Sequence, residues 1–454
     1  MGDSALTGEL ALAEDGATNF RLPSLAALAV ALAAGTSQAG QLAVGAGRAD
    51  ITPPSGFPNW TTKDGAFAGV VSPLYARALV LADGERRLAI LQWDLVNTRA
   101  DGVAKVRRLI SEATGIPATD ILVNASHDHS APLAPVLDDR LMPVNEDDAV
   151  ASRALAINRA WTEKLYVASV SAAKEANASL APADLEISRA SVPEWQFNRR
   201  PRRPDGSVST LFEPPDPFIL GEGMTFGPTD PTVTVLAFRS RDKRPLATLF
   251  SYPCHAVCVY PYSVAFSADW PGFAEDRVES EVGGRAIFLQ GCAGDLVPAR
   301  RGIEAAKAMG SLVGQRIAAA ETVGLRVAVD RLRAASARVS LPWNAAQKAK
   351  AGADHGDVEI QAFVLGTVAI VALPGEPMIE ISRAIQRRSP YPQTLVLGYS
   401  NGSGVIYVGL PGELARGGYE TTAESAHGTD ECGTILVDST LALLARMAHG
   451  AADR

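Results

Sequence analysis

The sequence predicts an α/β or α+β fold in one large domain, and three observations predict it. Short aliphatic and β-branched runs alternate with segments of helical periodicity along nearly the whole chain. The chain has 454 residues, of which 47% are hydrophobic and 20% charged, enough for a sizeable core and too apolar for wholesale disorder. No Gly/Ser linker divides it, and no repeat with a period of about 20 to 50 residues is visible.

The elements follow in order. Ala76 to Leu81 and Leu88 to Leu95 flank Asp83-Gly84, which predicts a β-hairpin. A helix is predicted from Ala100 to Thr114, stopped by Gly115 and Pro117, and then a buried strand from Ile121 to Ala125. A long helical pattern covers Val150 to Asn177. Between Pro193 and Pro231 the density of Pro, Arg, Gly and Asp rises, predicting a long surface loop or lid near a cleft mouth. Val233 to Phe238, Leu246 to Tyr252 and Ala286 to Leu289 read as strands, and the last runs through Gly291 and Gly294 into a helix from Ile303 to Glu321. Phe363 to Leu373 reads as a strand pair broken at Gly366-Thr367, feeding Pro374-Gly375-Glu376-Pro377 and a helix to about Arg388. Strands at Leu395 to Leu397 and Val405 to Val408 and a helix from Ile435 to Met447 complete the pattern.

Charge and composition exclude some classes. Forty-two basic against 50 acidic residues give a net charge of −8, so a nucleic-acid partner is not expected. Leu22 to Ala34 is apolar and uncharged, too short to span a bilayer but of the size of a signal-peptide core, and Ser37-Gln38-Ala39 places small residues where cleavage would fall. Residues 1–39 are therefore expected to be a signal peptide with an upstream extension, residues 40–454 the folded domain, and the protein exported to the periplasm or outside. Asp3, Glu9, Glu14 and Asp15 ahead of the run, with only Arg21 as a base, run against that expectation. The alternative is a buried amphipathic helix. No other apolar run approaches membrane length, which argues against a stable membrane span. Cys254, Cys258, Cys292 and Cys432 would allow two disulfides in an oxidising compartment, with three possible pairings. Cys254-His255-x-x-Cys258 lacks the second pair that a structural zinc knuckle needs.

Only six histidines occur, and two of them share the segment Asn124-Ala125-Ser126-His127-Asp128-His129-Ser130. If that segment is extended, residues i and i+2 point the same way, and His127 and His129 converge at a strand's C-terminal end. This is metal or acid–base geometry, or else a polar strand terminus with two solvated histidines. His255 follows an apolar strand, either as a satisfied core histidine or as a ligand. Glu376 sits in a tight turn after a buried strand, where it could cap the next helix or face a cleft. The Gly294-Asp295 turn could present backbone N–H groups to an anion. Polar groups at the ends of several buried strands form a plausible cleft, because ligands of open α/β sheets collect there.

These residues carry a resemblance. Gly45-Ala46-Gly47-Arg48-Ala49-Asp50-Ile51-Thr52-Pro53, then Ser126-His127-Asp128-His129-Ser130-Ala131-Pro132, Phe197-Asn198-Arg199-Arg200-Pro201 and Pro374-Gly375-Glu376 occur in the order of the neutral ceramidase catalytic domain, and the chain resembles that family over roughly Leu42 to Met447. The resemblance implies mixed β-sheets flanked by helices, without the C-terminal β-sandwich domain that many ceramidases carry. It implies a Zn²⁺ ion held by His127, His255, Glu376 and Tyr407, with His129 beside it, and hydrolysis of the amide bond of a lipid-like acyl substrate. Tyr407 and Tyr419 keep the spacing of the family's paired tyrosines, Asn401 and Gly402 match the stretch before them, and Arg199 falls where the family places a substrate-contacting arginine. Asp269, in Ser267-Ala268-Asp269-Trp270-Pro271-Gly272, belongs to a family motif of unassigned role. The catalytic candidates are thus His129, Tyr419 and Asp295, and the substrate-binding candidates Arg199 and Arg200.

The donors suit zinc, which would acidify a water and polarise a carbonyl. One departure bears on the route: where the family has a serine after Gly-Asp-Val, this chain has Val297, which has no hydroxyl to act as a nucleophile. Arg199, Arg200, Arg202 and Arg203 lie within five positions, a cluster that favours an acidic group on the substrate unless it is merely a solvated loop. A zinc-dependent esterase or lactonase acting on a small acidic substrate, and a non-catalytic binding protein of the same fold, are the alternatives to an amidase. The sequence is silent on oligomeric state.

Overall fold

The computed structural model describes residues 41–450 apart from 63–64, 136–148, 216–217 and 403–404. The expected leader, residues 1–39, lies outside the described residues. The described chain repeats one topology three times: three antiparallel strands in a row, a helix that crosses over, and a fourth strand parallel to the third.

In the first unit β1 (Ala43–Asp50), β2 (Tyr75–Ala82) and β3 (Arg87–Trp93) run antiparallel, and α1 (Ala100–Thr114) leads to β4 (Ile121–Ala125), parallel to β3. Helix α2 (Ala149–Ala178) follows, and β5 (Ala181–Pro182) pairs with β1. In the second, β6 (Asp184–Ser191), β8 (Thr232–Arg239) and β9 (Pro245–Ser251) are joined through α3 (Asp269–Glu281) to β10 (Arg285–Leu289), with α4 (Ile303–Glu321) and an edge strand β12 (Leu325–Val327) after it. Outside that sheet β7 (Gln196–Asn198) pairs with β11 (Leu296–Pro298). In the third, β13 (Leu332–Pro342), β14 (His355–Leu365) and β15 (Val368–Ala372) are joined through α6 (Ile379–Arg388) to β17 (Gln393–Leu397), and α7 (Cys432–Ala448) follows. Short α5 (Ala345–Ala351) lies between β13 and β14, and β16 (Glu376–Pro377) pairs in parallel with β18 (Tyr407–Val408).

This arrangement explains the unbroken apolar runs. Alternate strand residues face opposite sides, and both sides of these sheets are buried. Leu79 and Leu81 of β2, Leu249 of β9 and Ile370 of β15 meet in one interior shared by all three sheets. Ala78 and Val80 of β2 face outward, under Val106 of α1 and Leu165 of α2. Helices α3 and α4 cover the second sheet with Trp270, Val278 and Val313, and α6 and α7 cover the third with Ile381, Ile385 and Leu436. Each such side chain contributes about 1.5–3 kcal/mol by leaving water. The glycines of the Gly45-Ala46-Gly47 motif exist for this packing: a Cβ on Gly47 would lie 2.3 Å from the Ala172 carbonyl of α2.

The predicted fold class holds, as mixed sheets flanked by helices. The bounds of α1 and α4 and of β4 agree with the sequence pattern, and Gly115 ends α1 in the left-handed conformation, φ 72°, donating its N–H to Ser111. Strands β1, β6 and β13 and helix α3 were not predicted as such. The region from Pro193 to Pro231 is largely irregular, as expected, but it contains β7. All four cysteines are buried free thiols. Among the described residues no helix is long and apolar enough to cross a membrane.

Candidate metal centre and its cleft

The three parallel strand pairs, β3/β4, β9/β10 and β15/β17, bring their C-terminal ends to one place, and Asn124 and Gln290 tie them together. Asn124 Nδ2 donates to the carbonyl of Gly398 and to Ser400 Oγ, while its Oδ1 accepts from the N–H of Gln290. Gln290 Nε2 in turn donates to the carbonyls of Ser126 and Cys254. Both side chains are fully buried, so these bonds join the sheets without competition from water.

The functional side chains leave these ends. His127 and His129 follow β4, His255 follows β9, and Glu376 follows β15. His129 Nε2 lies 3.0 Å from His127 Nε2, and Glu376 Oε2 lies 3.2 Å from His127 Nε2 and 3.5 Å from His255 Nε2. His127 and His129 converge as predicted, but not through an extended segment: His127 has φ 61°, in the left-handed region, so the chain turns sharply as it leaves the strand. The Nδ1 atoms of His127 and His255 donate to the carbonyls of Val96 and Leu296, at 2.6 and 3.0 Å. Those bonds fix the tautomer and leave both Nε2 lone pairs aimed at the common point. His255 Nε2 is buried without a hydrogen-bond partner. A buried, unsatisfied nitrogen is costly unless something fills its lone pair, and a metal ion would do so.

The electrostatics favour neutral imidazoles at His129 and His255 and an ionised Glu376. Burial, reinforced by Arg199, drives the His255 pKa down to about 4. Burial and the neighbouring histidines hold His129 well below its usual value. Burial opposes ionisation of Glu376, but His127 and His255 outweigh it and keep its pKa well below the usual carboxylate range. His127, His129 and His255 lie close enough for one ion to bridge them.

Other candidates surround this group. The β16–β18 pairing sets Tyr407 directly beside Glu376, and Tyr407 Oη accepts a 3.1 Å hydrogen bond from Arg199 Nη2. Burial first, then the Glu376 charge, raises the Tyr407 pKa well above that of a free phenol. Tyr419 is 43% exposed, with its ring 5.7 Å from that of Tyr407. Tyr407 and Tyr419, with His127, His129 and Glu376, open onto a cleft of about 410 Å³, whose walls include Trp60, Leu133, Tyr399 and Ile406, while Arg199 is buried behind Tyr407.

Two candidates are not brought into the cleft. Both carboxylate oxygens of Asp295 are occupied, by the N–H of Ile379 and by Asn198 Nδ2. Arg200 is buried against Glu413 and Glu420. Three of the four clustered arginines are paired with carboxylates, Arg202 with Glu413 and Glu380, while Arg203 is exposed and donates to Ser207 and to the Val208 carbonyl. Val297 is buried in an apolar cluster with Phe197 and Val257. Asp269 gains a role: its carboxylate accepts from the N–H groups of Cys258, Val259 and Trp270, fastening the loop after His255 to the start of α3.

Sequence reasoning missed Tyr399, Trp60 and Glu420. Tyr399 packs on His127 with ring centres 4.2 Å apart and directs its hydroxyl to Glu376 Oε2 at 3.5 Å. Its place two residues past the predicted strand at Leu395 to Leu397, level with the other strand ends, is the signal that points to it. Trp60 stands 5.4 Å from His129, edge to face.

Three imidazoles and a carboxylate converging at parallel strand ends define an α/β protein with a group able to hold a metal ion. Residues 42–311 match the family described as neutral/alkaline non-lysosomal ceramidase, N-terminal. The match spans more than half of the chain, which belongs to this family. Among solved structures, the chain is similar to the neutral ceramidase from Pseudomonas aeruginosa, with a TM-score of 0.68 and 18% identity over 90% of this chain and 75% of that one. It is similar also to a ceramidase complexed with C2, with a TM-score of 0.69 and 18% identity over 90% of this chain and 76% of that one. At such identity the likeness speaks for the fold. No curated protein sequence matches the chain.

Proposed function

We propose that this chain is an exported zinc-dependent hydrolase that cleaves the N-acyl amide bond of a substrate with an apolar chain. The observation that carries the reading is the pair of imidazoles, His127 and His255, held by backbone carbonyls so that both Nε2 atoms face the Glu376 carboxylate. His127, His255 and Glu376 would hold the ion, with His129 and Tyr407 beside it. A zinc ion there supplies Lewis acidity, polarising a carbonyl and acidifying a water.

The chain's own residues do the rest. Arg199 donates to the Tyr407 oxygen, which leaves the phenol hydrogen free to point at an oxygen in the cleft that gains negative charge. Tyr419, at the cleft mouth, can give a proton to the departing amine. Val297 offers no nucleophile, so water is the attacking group. An apolar acyl chain is supported by the rim. Trp60, Leu133 and Tyr419 line the mouth and are each more than a third exposed. Phe212, half exposed, meets Tyr419 with ring centres 5.1 Å apart. The neutralised arginine cluster favours this apolar substrate over a small acidic one. The apolar run before Ala39 supports export.

The test is a substrate panel of N-acyl amides, esters and lactones, assayed on purified protein with its metal content measured and with and without a chelator. Amide turnover that disappears with the metal supports the reading, and ester or lactone turnover alone would replace the amidase by an esterase or lactonase. Full zinc occupancy without turnover on any member would make it a binding protein.

A further inference from the structure

Arg199 is the only described arginine that touches a tyrosine hydroxyl of the cleft wall, and something must aim it. Its peptide belongs to an irregular segment, so the backbone alone does not fix a side chain with four rotatable bonds. Glu420 lies far along the chain, in a single turn of 3-10 helix at Tyr419–Thr421, and is fully buried. One of its oxygens accepts from Arg199 Nε at 2.6 Å and the other from Arg200 Nη1 at 2.7 Å. With Nε held, the planar guanidinium has one remaining orientation, in which Nη2 reaches both the Gly294 carbonyl at 2.9 Å and Tyr407 Oη at 3.1 Å. The rings of Phe212, Tyr407 and Tyr419 enclose the group. Arg200 has a further carboxylate in Glu413, whereas Arg199 has only Glu420. For a buried charge with one ion-paired carboxylate among the described residues, that carboxylate is decisive for where the charge sits.

We infer that Glu420 is a positioning residue: it aims the Arg199 guanidinium at the Tyr407 hydroxyl and so sets the polar wall of the cleft. It need not touch substrate. Its effect on turnover rests on the hydrolase reading above, whereas its effect on Arg199 does not. Glu420→Gln keeps the volume but can accept from only one of the two arginines. Glu413→Gln disturbs the same ion cluster through Arg200, Arg202 and Arg416 and leaves the bonds to Arg199 alone.

The two variants and the wild type are compared by melting temperature, metal content, crystal structure, and kcat and KM on the amide N-(4-nitrophenyl)octanamide. In Glu420→Gln the Arg199 guanidinium is expected to leave Tyr407 by more than about 1 Å and kcat to fall about 10- to 100-fold with metal retained, the size of a lost positioned donor. In Glu413→Gln, kcat is expected to stay within about twofold, even where the melting temperature drops as far. Glu420→Asp should restore part of kcat. An Arg199 that stays on Tyr407 in Glu420→Gln overturns the inference, and so does a kcat loss that follows the melting temperature equally in both variants. A wild type without turnover defeats the hydrolase reading only, because the position of Arg199 in the crystal still decides the role of Glu420.

Discussion

His127 and His255 stand edge to face with ring centres 4.6 Å apart, although one follows the fourth strand of the first sheet and the other the third strand of the second. Neither sheet could form the pair alone. Docking of the units through Asn124 and Gln290 creates it, so residues that never approach the cleft decide whether the ligands meet.

His255→Ala and Glu376→Ala are expected to lower zinc content and kcat together, each by at least about tenfold, since each removes a donor from the common point. Metal analysis of the purified variants beside activity assays checks this. Either variant retaining full zinc but losing activity would make the residue catalytic rather than a ligand.

Tyr419→Phe is expected to lower kcat by about 10²-fold or more, the usual contribution of a proton donor, with no change in metal content. Because Tyr419 is partly exposed, its melting temperature should stay within about 2 °C of wild type, as for surface substitutions that cost under about 0.5 kcal/mol. A fall in melting temperature matching the activity loss would count against the assignment.

Val297→Ser tests the position where the family carries its serine. The hydroxyl would enter the apolar cluster of Phe197 and Val257, so a loss of about 1–3 kcal/mol is expected in urea unfolding, with no gain in turnover. A gain would mean that this single position limits the chemistry.

Asp295 gives a pH signature. Burial pushes its carboxyl up to about 6 from 3.8, so the folded protein holds this proton more tightly than the unfolded chain does. Between those two values the unfolded chain is ionised while the folded one is protonated. The contribution of this group to stability therefore falls as pH rises through the window, by about 3 kcal/mol at most. Asp295→Asn removes the term, so the stability of wild type relative to the variant should improve as pH drops from 7 to 4.5. A difference that stays constant with pH contradicts the shift.

Much of the fold was legible because its elements carry local signals. Gly115 stops α1, and Asp83-Gly84 turns the hairpin between β2 and β3. Elements without such signals were lost. Helix α3 opens on Asp269-Trp270-Pro271-Gly272, which reads as a loop, yet proline in a first helical turn forfeits no hydrogen bond. Strand β1 is built largely of small residues because α2 lies against it, and its composition lacks the β-branched signature. The threefold topology has a period well beyond 100 residues, too long and too diverged to show as a sequence repeat.

In the site, the histidine pair and the turn at Glu376 stood out by residue type and by place at strand ends. Glu420 did not, because a glutamate in a short turn has no pattern that names an arginine more than 200 positions away as its partner. The arginine cluster misled for the same reason: its carboxylates, Glu413 and Glu420, come from a distant segment.

The most direct measurement is a crystal of the zinc-loaded protein with diffraction recorded on both sides of the zinc absorption edge. The account predicts one anomalous peak about 2.0–2.2 Å from His127 Nε2, His255 Nε2 and a Glu376 carboxylate oxygen. A peak elsewhere in the chain, or none in protein that is still active, would contradict it.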